Sequence, residues 1–228
     1  MNKAVNILLE KEEIMQALEK ALQNQFIDNL RNRHPNVSLD SKLRGYIGEY
    51  AFAKWMGQYE IEFESSNQMD VRSGIDIDFL YHGKDKLLQL ELKTSLIPDA
   101  DETIAEMMEK RDIKLIKRGN QTIEDLKGDI HVQIVFKQLR IRKDEWLKKQ
   151  RINLKATLEE IYRKIAAYRY EKDTFIIAWI DKPTLIQQIK QKPEKLQKWS
   201  YGKRSFWSCN LLKEAKRPND LVGYLKQK

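Results

Sequence analysis

Two neighbouring segments constrain the fold of this chain more than any other feature. Residues 75–81 read IDIDFLY and residues 87–94 read LLQLELKT, separated by His82-Gly83-Lys84-Asp85 and a further lysine. Both alternate with the two-residue period of a strand, and the short glycine-bearing gap predicts a hairpin turn. In the first strand Asp76, Asp78 and Leu80 share one face, with Ile75, Ile77 and Phe79 on the other. In the second, Gln89, Glu91 and Lys93 share a face, opposite Leu88, Leu90 and Leu92. Paired as a hairpin, the two apolar faces pack on one core. The carboxylates then converge with Lys93 on the opposite side.

Helical patterns surround this hairpin. An opening helix is expected over about residues 7–32, ended by His34-Pro35, because the residue before a proline is pushed out of the α region. Ser38 or Asp40 then caps a second helix over roughly 41–57. Strands are expected near 61–63, at 130–136 and 175–180, and, rich in aromatics, at 205–209. Residues 100–127 read as helix or an ordered insertion, residues 143–172 as a long basic helix or helix pair, and helices follow Pro183 and Pro218. Together these predict an α/β (α+β) fold: a mixed central β-sheet flanked by helices, with helical insertions and a C-terminal extension.

A chain of 228 residues buries enough surface to fold without a covalent staple. Its one cysteine, Cys209, makes no intrachain disulfide and excludes cysteine-ligated zinc. No window approaches the ~18 apolar residues of a membrane span. Glu10, Lys11, Glu12 and Glu13 interrupt the N-terminal apolar stretch before it forms a secretory signal. A reducing, cytoplasmic setting is expected. The motifs G-x-x-x-x-G-K-[ST], H-E-x-x-H, G-x-S-x-G and H-x-E with C-x-x-C are absent. P-loop ATPases, zincins, serine hydrolases and zinc deaminases therefore lack support.

Carboxylates gathered within ~5 Å repel and raise one another's pKa, a cost that a divalent cation removes. Magnesium favours hard oxygen ligands, usually one or two carboxylates with waters and substrate phosphate. A lysine two residues beyond a ligand can orient or deprotonate a water and offset charge growing on a phosphate. Residues 76–93 thus hold the parts for metal-assisted phosphodiester hydrolysis. Asp78, followed after twelve residues by Glu91-Leu92-Lys93, resembles the PD-(D/E)xK nuclease superfamily, which includes type II restriction endonucleases and archaeal Holliday-junction resolvases. The resemblance implies that Asp78 and Glu91 bind Mg2+, with Mn2+ able to substitute, and that Lys93 serves the attacking water. It extends to a glutamate on the preceding helix, matched by Glu49 in RGYIGEYAFA, and covers about residues 41–95 plus the strand at 130–136. No proline precedes the aspartate, and Asp76 on the same face is a second candidate ligand. The competing reading is a solvated outer hairpin face, since charged-out and apolar-in is ordinary for half-exposed strands.

The other candidates carry two readings each. Glu49 lies nearly opposite the apolar stripe of Leu43, Tyr46, Ile47, Tyr50, Ala51 and Trp55. It is either solvent-facing or, beside the small residues Gly45, Gly48 and Ala53, close to approaching DNA. Arg44 holds a phosphate or lies on the surface. His34 and His82 read as turn residues. His131 and Gln133 either face the metal cleft or are hydrogen-bonded members of a central strand.

Charge points to a polyanion. Residues 183–228 carry 11 basic and 3 acidic side chains, which accounts for the whole net charge of +8. Trp199, Tyr201, Phe206 and Trp207 lie among them, and basic side chains interleaved with aromatics suit a backbone with stackable bases. Lys203 and Arg204 are the expected phosphate contacts, with the basic region 143–172 next. A single domain over 1–228 is expected, with a nuclease core at about 41–140, an insertion at 96–128 and a basic extension at 141–228. Additions as large as the core resemble those of restriction enzymes, which implies a homodimer cutting double-stranded DNA at a symmetric site. The alternatives are another DNA nuclease of repair, recombination or mobile-element defence, or a nucleic-acid-binding protein with a nuclease-like core that does not cut.

Overall fold

The predicted hairpin forms in its turn-proximal half, Phe79–His82 against Leu87–Leu90, and lies within a larger sheet. A computed structural model describes residues 4–24, 33–66, 69–70, 75–117, 119–198 and 205–228, with backbone alone for 69–70, 75–76 and 197–198. In chain order the elements are β1 (Val5–Ile7), α1 (Lys11–Gln23), α2 (Pro35–Gly57), β2 (Glu64–Ser65), β3 (Met69–Asp70), β4 (Ile75–Asp76), β5 (Phe79–His82) and β6 (Leu87–Ile97). There follow α3 (Ile104–Lys110), β7 (Asp112–Lys117), β8 (Ile130–Leu139), α4 (Arg140–Lys149), α5 (Leu158–Lys164) and β9 (Thr174–Asp181). The chain ends with α6 (Lys182–Gln191), β10 (Leu196–Lys198), β11 (Ser205–Asn210) and α7 (Pro218–Lys226).

Six strands make the central sheet, in the order β1-β9-β8-β6-β5-β2. The β6–β8 pair is parallel and its neighbours are antiparallel, so the sheet is mixed, and the α/β class holds. Leu88, Leu90, Leu92 and Leu96 turn to one face and join a core with Ile47, Ala51 and Phe52 of α2. The other face carries a second core, where Ile97, Val135, Ile177 and Ile180 meet Leu185 of α6 and Trp207 of β11.

Several expectations need correction. Val5–Ile7 pairs with β9 as an edge strand, and α1 begins only at Lys11. The cause is a capping box, in which Glu10 and Glu13 bond each other's backbone N–H. The expected end of that helix, residues 25–32, lies outside the described residues. His34-Pro35 starts a helix: His34 is the N-cap of α2, and its Nδ1 accepts from Asn36 N at 3.3 Å. Proline at the first helical position has its φ preset and lacks only an N–H with no helical partner. Ser38 and Asp40 therefore sit inside α2.

The strand expected over residues 75–81 is broken. β4 leaves the hairpin to pair with β3, while β5 pairs with β6 and β2. The strand expected near 61–63 forms at Glu64–Ser65. β7, from the 96–128 segment, pairs with β11 of the C-terminal extension in a three-stranded sheet, β10-β11-β7. The central sheet also takes in β1 and β9, from outside residues 41–140.

At Gly48, α2 lies close against the sheet. A Cβ there would stand 2.6 Å from Thr94 Cγ2 on β6, and threonine has little χ1 freedom with which to yield. Gly48→Ala is expected to lower stability by about 1–3 kcal/mol despite alanine's better helix propensity. Denaturant midpoints read this directly. An unchanged midpoint would mean that helix and strand separate without cost.

Candidate active site

Glu91 and Lys93 point away from α2, towards the face that β8 shares. The parallel register sets Glu91 beside His131 and Lys93 beside Gln133. Asp129 fixes that register at the start of β8. Its Oδ2 accepts from Gln89 N at 3.0 Å, its Oδ1 from Lys86 Nζ at 2.9 Å, and its own N–H donates to Gln89 O at 2.7 Å. Gln133 Nε2 then donates to Lys93 O at 2.9 Å and Ser95 Oγ at 3.1 Å, steadying the backbone under the lysine.

Both oxygens of Glu91 have partners. Lys93 Nζ bonds Oε1, and His131 Nδ1 lies 2.8 Å from Oε2. Burial would push the Glu91 carboxyl pKa up, but Lys93 and His131 outweigh it and bring it down to about 2. Glu91 is therefore an anion throughout the neutral range. An ionised carboxylate only accepts hydrogen bonds, so the His131 proton sits on Nδ1. His131 is both things the sequence offered, a buried strand histidine and a neighbour of the acidic site.

Asp78 stands at the point where the β4–β5 segment breaks. Its N–H donates to Leu90 O at 2.9 Å and its Oδ2 accepts from Leu92 N at 2.5 Å. The carboxylate thus takes an N–H that a straight continuation of the ladder would have bonded to a carbonyl. It stays half-buried beside the Glu91-Leu92-Lys93 run. Asp76, the other candidate ligand, has its backbone in β4 and its side chain outside the described residues. No group of three or more His, Cys, Asp or Glu side chains gathers as a cation site among the described residues.

Asp78 and Glu91 are the hard oxygen donors here that could hold a divalent cation. Lys93 Nζ already bonds Oε1 of Glu91, and His131 faces Oε2. The loop before β8 crosses at Gly128, with φ +76°, where a Cβ would come 3.0 Å from His131 Cε1 and 3.6 Å from Glu91 Cβ. Glycine at this position was not a sequence candidate. Its signal was a glycine two residues before the strand-like run at 130–136.

The remaining candidates are scattered. Glu49 is half-buried on α2, which packs against the opposite face of the sheet, and is not among the described partners of Glu91. Arg44 is neither at the surface nor placed for a phosphate. It is buried, with Nε 2.9 Å from Asp40 Oδ2 one helical turn earlier. Lys203 and Arg204 lie outside the described residues, as do Trp199 and Tyr201. Phe206 and Trp207 are buried and unavailable for base stacking; Trp207 belongs to the second core, and Lys114 Nζ lies 4.9 Å from the Phe206 ring centroid. His82 is exposed in the hairpin turn, 3.2 Å from Glu64 Oε2. Among the described residues no helix is long and apolar enough to cross a membrane. Comparison with known proteins returns no match: no family model, curated protein or solved structure is significantly similar to the chain.

Proposed function

We propose that this chain is a Mg2+-dependent DNA endonuclease of the PD-(D/E)xK kind, with a type II-like restriction enzyme, acting as a homodimer on double-stranded DNA in the cytoplasm, as the specific form. One observation carries the reading. Asp78 Oδ2 accepts from Leu92 N, the residue between Glu91 and Lys93 on the adjacent strand, and Lys93 bonds the glutamate from the same strand face. Asp78 and Glu91 would hold the cation, with Asp76 as a further ligand. Magnesium there supplies charge neutralisation on the phosphodiester and a more acidic water. Lys93 orients the attacking water and offsets charge growing on the phosphate. Gln133 keeps the lysine's backbone in place.

A second reading is favoured by a different observation. Both Glu91 oxygens already have donors, as in a carboxylate whose role is structural. That suits a nucleic-acid-binding protein with a nuclease-like core. Incubating supercoiled plasmid with the chain in Mg2+, in Mn2+ and in EDTA separates the two. Metal-dependent nicking or linearisation supports the nuclease. Metal-independent binding without cleavage supports the second reading and overturns the first.

For the DNA surface, α4 joins the proposed Lys203 and Arg204. Arg140, Arg142, Lys148 and Lys149 are exposed along it, with Trp146 partly exposed beside them. Each phosphate contact contributes about 0.9 to the slope of log K against log salt on duplex DNA. An Arg142→Ala/Lys149→Ala protein is expected to bind more weakly at every sequence, with a slope shallower by about one to two. Fluorescence anisotropy across a salt series measures it, and an unchanged slope would return α4 to ordinary solvated surface.

A further inference from the structure

His131 occupies a fully buried position in the middle strands of the sheet, where an apolar side chain would be the ordinary occupant. Its Nε2 has no hydrogen-bond partner among the described residues, and leaving a buried polar atom unpaired costs stability. The ring's one described hydrogen bond is Nδ1 to Glu91 Oε2, at 2.8 Å. The ring is also pressed from outside. Gly128 lies so close that a Cβ would sit 3.0 Å from Cε1, and its φ of +76° is one that other residues rarely adopt. The imidazole thus has the loop at Gly128 close beside it and bonds a single Glu91 oxygen, while Lys93 takes the other.

We propose that His131 is a positioning residue, which fixes the Glu91 carboxylate in the orientation that holds a divalent cation, with Gly128 bracing the ring. The inference rests on the cation reading of Asp78 and Glu91 and adds to it the group that orients the ligand. Outer-shell partners of this kind typically govern metal affinity by about 10–100-fold.

Mn2+ titration of the DNA-free protein, followed by the EPR signal of the free ion, tests the proposal without reference to cleavage. His131→Leu, which removes the donor, is expected to weaken Mn2+ binding by about 10–100-fold. His131→Asn, whose amide nitrogen falls near the position of Nδ1, is expected to stay within a few-fold of wild type. Gly128→Ala, whose added Cβ would crowd the His131 ring at 3.0 Å while meeting Glu91 Cβ only at an ordinary contact distance of 3.6 Å, is expected to weaken binding in the same direction and serves as the test should His131→Leu fail to fold. Thermal melts of the three proteins control for folding. Folded His131→Leu or Gly128→Ala protein with wild-type Mn2+ affinity, or equal losses in His131→Leu and His131→Asn, overturns the role of His131 alone. No Mn2+ binding by the wild-type chain overturns that role together with the cation site itself.

Discussion

Glu91→Gln and Lys93→Ala proteins are expected to cleave DNA about 10²–10⁴-fold more slowly than wild type in Mg2+, with DNA binding largely retained. The glutamine substitution keeps the size of the side chain and removes its charge. It also places an amide donor where an oxygen faced a donor, since Lys93 and His131 both donate to Glu91. Asp78→Asn belongs to the same series. Its remaining oxygen can still accept from Leu92 N, so the hairpin survives while the anionic ligand is lost. Single-turnover cleavage of plasmid, with gel-shift binding in Ca2+, separates chemistry from affinity. Ca2+, with longer and looser coordination, is expected to support binding but little cutting. Asp76→Ala and Asp78→Ala compared side by side identify the principal aspartate. Near-wild-type cutting by either Glu91→Gln or Lys93→Ala would remove this site from the mechanism.

The parts of the site that could be read from the chain are those set by local periodicity. Alternation placed Glu91 and Lys93 on one face and the leucines on the other, and the pairing Phe79 with Leu90 and Leu80 with Gln89 follows that pattern. The surroundings of the site depend on long-range register, which periodicity does not carry. His131 stands beside Glu91 because β6 and β8 run parallel in one particular alignment; a shift by one residue would turn the imidazole to the opposite face. The union of β7 with β11 brings together residues almost a hundred positions apart, and so an insertion and an extension become one sheet. Phe206 and Trp207 have the composition of a nucleic-acid surface but are buried, because covering that sheet outweighs their position among lysines. Arg44 shows the same limit at short range. Asp40 lies one helical turn before it, a spacing that allows the pair, but by sequence Asp40 reads as a helix cap, and the burial of the pair with Tyr170 and Lys143 depends on distant segments.

That pair predicts the largest single loss of stability in the molecule. Asp40 is fully buried. Its Oδ2 accepts from Arg44 Nε at 2.9 Å, its Oδ1 accepts from Tyr170 Oη at 2.6 Å, and Lys143 Nζ lies 3.6 Å from Oδ1. Lys143 also donates to Ile165 O at 3.0 Å and sits 5.0 Å from the centroid of the Tyr170 ring. Burial pulls the Lys143 pKa down and Asp40 opposes it, so the carboxylate is what allows two cations to share an interior site. Asp40→Ala leaves Arg44 and Lys143 facing each other with that counter-charge gone, and is expected to cost about 3–5 kcal/mol. Tyr170→Phe removes one hydrogen bond and keeps the packing and the charges, at about 1 kcal/mol. Urea denaturation of the two proteins gives the comparison, and the expected order is a far greater loss for Asp40→Ala. DNA cleavage by the Tyr170→Phe protein, measured well below its unfolding midpoint, is expected to match wild type, because the cluster lies under α2 on the opposite side of the sheet from Glu91. An Asp40→Ala loss no larger than that of Tyr170→Phe would mean that the buried charges find other compensation, and that this network does not lock α2 to α4.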